Sequence, residues 1–223
     1  MMQEELRIQE VLQRLAAEHG GKTIALQFQN PLQLLIATIL AAQCTDERVN
    51  AVTVRLFQKY PSAGSFAEAN LAELEQDIRP TGFFHNKARA ITGCCREIVE
   101  SFGGKVPSHP EDLVRLPGVG RKTANIVLGN AFGQQAIAVD THVFRVSHRL
   151  GLAFASNPDK VEEELAAIIP RQHWTEATHW LVWHGRTICQ AKKPLCASCV
   201  VYDLCPWEGK PRKAVERQTG KKG

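Results

Sequence analysis

The stretch that most restricts what this chain can become is residues 116–140, LPGVGRKTANIVLGNAFGQQAIAVD. Pro117 fixes one φ angle, while Gly118 and Gly120 can take positive φ and leave no Cβ to obstruct an approaching ligand. Residues 123–132 then carry Ala124, Val127, Leu128 and Ala131 at helical spacing, which predicts a helix opening from the glycine turn. A turn of this kind presents backbone N–H groups at a helix N-terminus, where donors and dipole favour a phosphate whatever base it carries. Gly118, Val119, Gly120 and Arg121 are the candidate contacts. The same residues also suit a plain packing joint between two helices.

Two ionisable residues accompany the turn. Lys122 begins the helix, where the positive end of the dipole and partial burial disfavour the ammonium form and raise the fraction of free amine. A free amine is what a nitrogen nucleophile requires. Asp140 ends the apolar run 136–139 and precedes a helical segment over 141–150. It could orient the amine or a water and stabilise positive charge growing on a sugar ring. Simpler roles are open to both: a phosphate contact for Lys122 and an N-cap for Asp140.

The periodicity elsewhere is that of an all-α protein. Residues 6–18, 34–43, 87–101 and 175–189 read as helices, with Asn30-Pro31 and Asn157-Pro158 as starts and Asp46 as the cap of a helix over 47–60. Ser65 with Glu68, Asn70 with Glu73 and Ser108 with Glu111 match capping-box spacing. Only 24–28 and 136–139 carry strand signals, both short. The N-terminus lacks the basic start and continuous apolar run of a secretory signal, and the longest apolar stretch, 34–42, falls far short of the roughly 20 residues that span a bilayer. A cytoplasmic, membrane-free protein is expected, associated with the nucleoid in a bacterium.

The 223 residues carry a net charge of +4, but residues 209–223 hold six bases against Glu216. That +5 leaves the body at −1, so any DNA affinity of the body must come from locally placed groups, with the tail adding salt-sensitive attraction. The tail also reads as a disordered terminus. Seven cysteines in such a chain argue for metal or catalytic use of some of them rather than disulfides. Cys44, Cys94 and Cys95 lie in apolar helical contexts and read as small core residues. Cys189, Cys196, Cys199 and Cys205 form C-x6-C-x2-C-x5-C, and four thiolates in 17 residues can enclose one metal centre, zinc or iron–sulfur. Their spacing leaves the metal open.

LPGVGRKTAN, then VDTHVFRV, then this cysteine pattern together resemble the endonuclease III family of helix-hairpin-helix DNA glycosylases, over residues 5–207 and in the family's order. The resemblance implies a continuous six-helix domain over 22–133 containing the hairpin. It implies a second domain built from 1–21 and 134–208, which holds one 4Fe-4S cluster on the four cysteines, and a DNA-binding cleft between the two. It implies that the lysine at position 122 attacks the deoxyribose C1′ to form a Schiff base and that Asp140 assists base loss. Lys192 and Lys193, inside the cysteine loop, would face the DNA backbone. An enzyme of this kind must draw a nucleotide out of the stack and fill the gap. Gln43, at the end of an apolar helix, matches the glutamine that fills it, and Phe83 stands where relatives usually carry a leucine wedge. Asp46 and His142 are candidates for the substrate pocket. Cys44, alanine in many relatives, has no functional account.

The expected function is therefore a bifunctional DNA glycosylase and AP lyase acting, as a monomer, on double-stranded DNA containing oxidised pyrimidines or abasic sites. The absence of any carboxylate in residues 34–43 separates the chain from adenine-removing relatives, and the cysteine loop from 8-oxoguanine glycosylases. The alternative is a non-catalytic helix-hairpin-helix DNA-binding module with a structural metal loop, which would not require the pairing of Lys122 with Asp140.

Overall fold

The structure is a computed structural model that describes residues 2–211, and every described element is helical, with no strand among the described residues. The chain forms two compact units: Thr23–Ala138, and Met1–Lys22 with Val139–Gly223, the latter described to residue 211. The divisions fall after Lys22 and Ala138, so the 134–138 run expected in the second unit packs with the first. The two short stretches with strand character, 24–28 and 136–139, are irregular or extended without a partner strand.

In Thr23–Ala138 the centre is α2 (Pro31–Leu40), whose residues from Leu34 to Leu40 are all buried. A helix apolar all round has to lie inside the core, and Asn30 starts it by accepting from the Gln33 N–H, with Pro31 in the first turn. Around it lie α3 (Asp46–Lys59), α4 (Ala63–Ala67), α5 (Leu71–Ile78), a 3₁₀ turn (Arg79–Thr81), α6 (Phe84–Phe102), α7 (Pro110–Leu113) and α8 (Arg121–Ala131). This unit therefore holds seven α-helices, where the resemblance implied six. Phe66, fully buried, stacks on Tyr60 with ring centroids 5.0 Å apart.

Several starts and stops differ from expectation. Helix α2 ends at Leu40, so Gln43 lies three residues beyond it in a turn. Thr45 rather than Asp46 caps α3, since it is the Thr45 hydroxyl that accepts from the Arg48 N–H. Ser62 and Ser65 form the reciprocal capping box of α4 that had been expected at Ser65 and Glu68. At α7 the cap position is His109 rather than Ser108, with no side-chain bond, and Pro110 begins the helix. Asn70 and Asn157 cap as expected.

The other unit contains α1 (Met2–His19), α9 (Thr141–Arg149), α10 (Pro158–Ile168) and α11 (Trp174–Thr187), followed by the cysteine loop. Helix α1 packs on α11, and its polar residues reach further along the chain. Arg7 donates to the carbonyls of Leu150, Gly151 and Leu204, and Arg14 to Val200 and Asp203. Gly185 lets α11 lie against α9: a Cβ there would stand 3.0 Å from both His142 and Val146. Lys210, counted in the basic tail, is bonded to the Tyr202 and Cys205 carbonyls. The rest of that expected tail, from 212, lies outside the described residues.

The glycine turn joins α7 to α8. Leu116 N–H donates to Leu113 and Val119 N–H to Leu116, while Leu113, Leu116 and Val119 are buried. Gly118 sits at φ +77°, and a Cβ there would stand 2.7 Å from the Ala90 Cβ on α6. Gly120 has ordinary extended backbone (φ −93°) with nothing within 4 Å of a Cβ. Gly118→Ala is expected to lower unfolding free energy by about 2–3 kcal/mol, from left-handed strain and overpacking together, and Gly120→Ala by less than about 1 kcal/mol. Urea unfolding midpoints of the two variants check the difference.

Candidate active site and cysteine loop

The hairpin delivers an uncapped helix end to the surface. Gly120 occupies the N-cap of α8, so no side chain caps its first turn, and no acidic residue there offsets the dipole. Arg121 and Lys122 are exposed, and Pro117 packs over Gly93 on α6. Among the four expected phosphate contacts, Val119 has its side chain buried beneath the turn and its N–H already donated to the Leu116 carbonyl, so it leaves no donor for a phosphate. The partial burial expected for Lys122 is absent.

Asp140 belongs to the other unit. It is the N-cap of α9, and its Oδ1 accepts from the N–H groups of His142 and Val143, each at 2.8 Å. The capping role raised as the simpler one is thus real, and it engages a single carboxylate oxygen while holding the group rigid. His142 follows, with its Nδ1 3.2 Å from Arg145 Nη2. Burial holds the His142 imidazole below its usual range, with Asp140 pulling the other way.

His142 also lines an open hollow of about 460 Å³ together with Lys192, Lys193, Arg145 and Arg186. The two lysines and the histidine were expected from the sequence. The arginines were not, although Arg145 lies one helical turn after His142 and so on the same face. Arg145 is anchored by the carbonyls of Cys189 and Gly185, which turns it into a brace between α9 and the end of α11.

Gln43 and Phe83, both in the Thr23–Ala138 unit, share an unusual backbone. Among the described residues they are the only non-glycine positions with positive φ, 53° and 48°. Left-handed backbone costs a residue with a Cβ roughly 1–2 kcal/mol. Both side chains are exposed, Phe83 by 61%, so Phe83 is not a buried ring, and Gln43 lies beyond the end of α2. Asp46 is half-buried in the first turn of α3, and Cys44 is half-buried against the core.

Cys189, Cys196, Cys199 and Cys205 line one hollow with His184, Tyr202 and Trp207. None is in a disulfide. Among the described residues no three metal-binding side chains are grouped closely enough to hold a single ion. Polar partners already face them: Arg149 Nη1 stands 3.5 Å from Cys189 Sγ, and His184 Nε2 stands 3.5 Å from Cys199 Sγ. Behind His184, its Nδ1 lies 3.1 Å from Nε2 of His19, the last residue of α1. Burial pushes His184 down to about 4, so the ring is neutral and has one N–H to give. Burial also pushes the Cys199 thiol up to about 11, so filling the hollow with a thiolate-bound group must expel protons. The donor set fits an iron–sulfur cluster.

The chain's relatives are consistent with this arrangement. The HhH-GPD superfamily of base excision DNA repair proteins matches residues 36–171. Endonuclease III of Synechocystis sp. is 50% identical over 207 residues, 92% of this chain and 94% of that one. Endonuclease III of Escherichia coli is 41% identical over 201 residues, 90% and 95%. A solved non-covalent endonuclease III–DNA complex superposes with a TM-score of 0.88 at 44% identity, covering 91% of this chain and 95% of that one. A trapped endonuclease III–DNA covalent intermediate gives the same values. With the glycine hairpin, the lysine behind it and the four-cysteine loop all present, the chain belongs to the endonuclease III family of the HhH-GPD superfamily of base excision DNA repair proteins.

Proposed function

We propose that this chain is a DNA glycosylase and AP lyase that removes oxidised pyrimidines from double-stranded DNA and cuts the strand 3′ to the resulting site. The observation that carries it is Lys122, exposed in the first turn of an uncapped helix whose glycine hairpin leaves room for a DNA backbone. A non-catalytic module would use the same hairpin without needing that lysine, and relatives named endonuclease III over nine-tenths of the chain weigh against it.

Backbone N–H groups around Gly118 and Gly120 hold a phosphate and fix the strand. The damaged nucleotide leaves the stack, and Gln43 and Phe83 occupy the space it vacates. DNA packed against the hairpin excludes water around Lys122, supplying the desolvation absent from the free protein and lowering the cost of a neutral amine. The Lys122 nitrogen attacks C1′ while Asp140 stabilises the charge developing on the sugar. The C1′–N bond to the base breaks, and the base leaves with the electron pair and takes up a proton. Ring opening gives a C1′=N imine to Lys122. Loss of a C2′ proton then expels the 3′ phosphate by β-elimination. Asp46 and His142 border the pocket, and a phenylalanine in place of the usual leucine wedge bears on the base opposite the lesion.

Cys189, Cys196, Cys199 and Cys205 would hold one 4Fe-4S cluster with all four ligand positions filled by protein, so what it supplies is structure. Its loop carries Lys192 and Lys193, which contact phosphate without reading sequence. The protein works as a monomer in the cytoplasm. No described helix is long and apolar enough to cross a membrane.

Borohydride with abasic-site DNA is expected to give a covalent adduct that disappears in Lys122→Ala, and no adduct with the unmutated chain would rule out the lyase. Asp140→Asn, which can still accept the cap bonds, is expected to slow base release by about a hundredfold or more. The purified chain should show the visible absorption of an iron–sulfur protein, lost in Cys199→Ser, whereas colourless protein with stoichiometric zinc would point to the other metal. Lys192→Ala and Lys193→Ala should each reduce the slope of log affinity against log salt by about 1.

A further inference from the structure

Lys87 is a buried cation that none of this chemistry uses. It lies in the first turn of α6 and is 5% exposed. Its Nζ donates to the carbonyl of Leu40 at 2.7 Å and to that of Thr81 at 2.8 Å. The first is the carbonyl that ends α2, and the second ends the 3₁₀ turn before α6. Burial holds its ammonium below the usual range, with the nearby Cys44 pulling the other way. Both carbonyls can be served by either protonation state, since an amine retains two N–H donors.

What gives the bond pair a purpose is where the chain goes next on each side. Gln43 follows Leu40 by three residues, and Phe83 follows Thr81 by two. These are the two exposed, non-glycine, positive-φ residues of the described chain. Strained backbone persists only where the surroundings over-determine it. The Lys87 backbone adds a further tie, its N–H donating to the Phe83 carbonyl at 3.1 Å. Elsewhere the two turns are fixed within themselves, by Cys44 N–H on Ala41 and by Gly82 N–H on Arg79. Lys87 joins them to each other.

We propose that Lys87 is a positioning residue for nucleotide extrusion, a clamp that holds the Gln43 and Phe83 turns at a fixed separation so that both side chains enter the vacated space together. It touches no DNA and acts through the two turns. The proposal rests on the reading of Gln43 and Phe83 as the gap-filling pair.

The test uses the full chain and two single-turnover substrates: duplex DNA with an oxidised pyrimidine, which must be extruded, and single-stranded DNA with a preformed abasic site, which need not. The quantity read is the ratio of the two rates. Lys87→Met, which keeps the length and removes the donors, is expected to lower that ratio by about tenfold, the size of losing charge-assisted hydrogen bonds. Made in a Gln43→Ala, Phe83→Ala background, the same change should lower the ratio by no more than about twofold, because the groups it acts through are gone. Equal loss on both substrates, or full additivity with the double variant, would reduce Lys87 to a general scaffold residue and overturn the proposal. An unchanged ratio in Gln43→Ala and Phe83→Ala overturns the gap-filling pair and the clamp's purpose with it. A lowered ratio there but not in Lys87→Met overturns the clamp alone. If Lys87→Met does not fold, Lys87→Arg takes its place: its longer side chain spreads the turns, so the ratio should again fall, and an unchanged ratio counts against the clamp.

Discussion

Every helix leaves N–H groups at its start and carbonyls at its end that its own ladder cannot pair, and the structure of this protein follows from how each of these is met. Some ends are closed locally, as Asn30, Asn70 and Asp140 do for α2, α5 and α9. Others are closed from far along the chain. Arg7 reaches the carbonyl of Leu150 after α9, Arg145 reaches that of Gly185 near the end of α11, and Lys87 reaches that of Leu40. The starts of α6, α7, α8 and α11 receive no side-chain cap, and at α8 this is because Gly120 brings no side chain to it. The start of α8 is the one proposed above to meet a phosphate.

How much of this the sequence disclosed depended on range. Starts signalled by a single short-range contact, Asn30-Pro31 and Asn157-Pro158, were legible because the cap and the proline act within one turn. Where the local rule failed, it misplaced the start: Ser65 with Glu68 has the capping-box spacing, yet Ser62 makes the box with Ser65, a serine where the rule looks for Glu or Gln. The hairpin, its lysine and the cysteine spacing were legible as a pattern. Lys87 was not, although it precedes Ile91 by one turn and so lies on the apolar face of α6 with Ile91, Cys95 and Ile98. A lysine on a buried stripe was the available signal. His19 repeats it on α1, one turn after Leu15. The burial supposed for Lys122 failed for the converse reason, because the residue that opens a helix at a surface turn faces outward.

The cysteine loop is held by a helix from the opposite end of the chain. Arg7, Arg14 and His19 follow one another along α1 and meet, in turn, Leu204, Val200 with Asp203, and His184. The last contact couples protons: His184 is neutral, so one of its ring nitrogens donates and the other accepts, and the direction of the His19 contact is set by that of the Cys199 contact.

Cys94 and Cys95, buried on α6, are a quieter part of the design. Burial pushes the Cys94 thiol up to about 12 and Cys95 higher still. Peroxide reacts with the deprotonated sulfur, and at neutral pH almost none exists in this core. A repair protein is needed most while its cell is under chemical assault, and these two sulfurs give that assault nothing to attack.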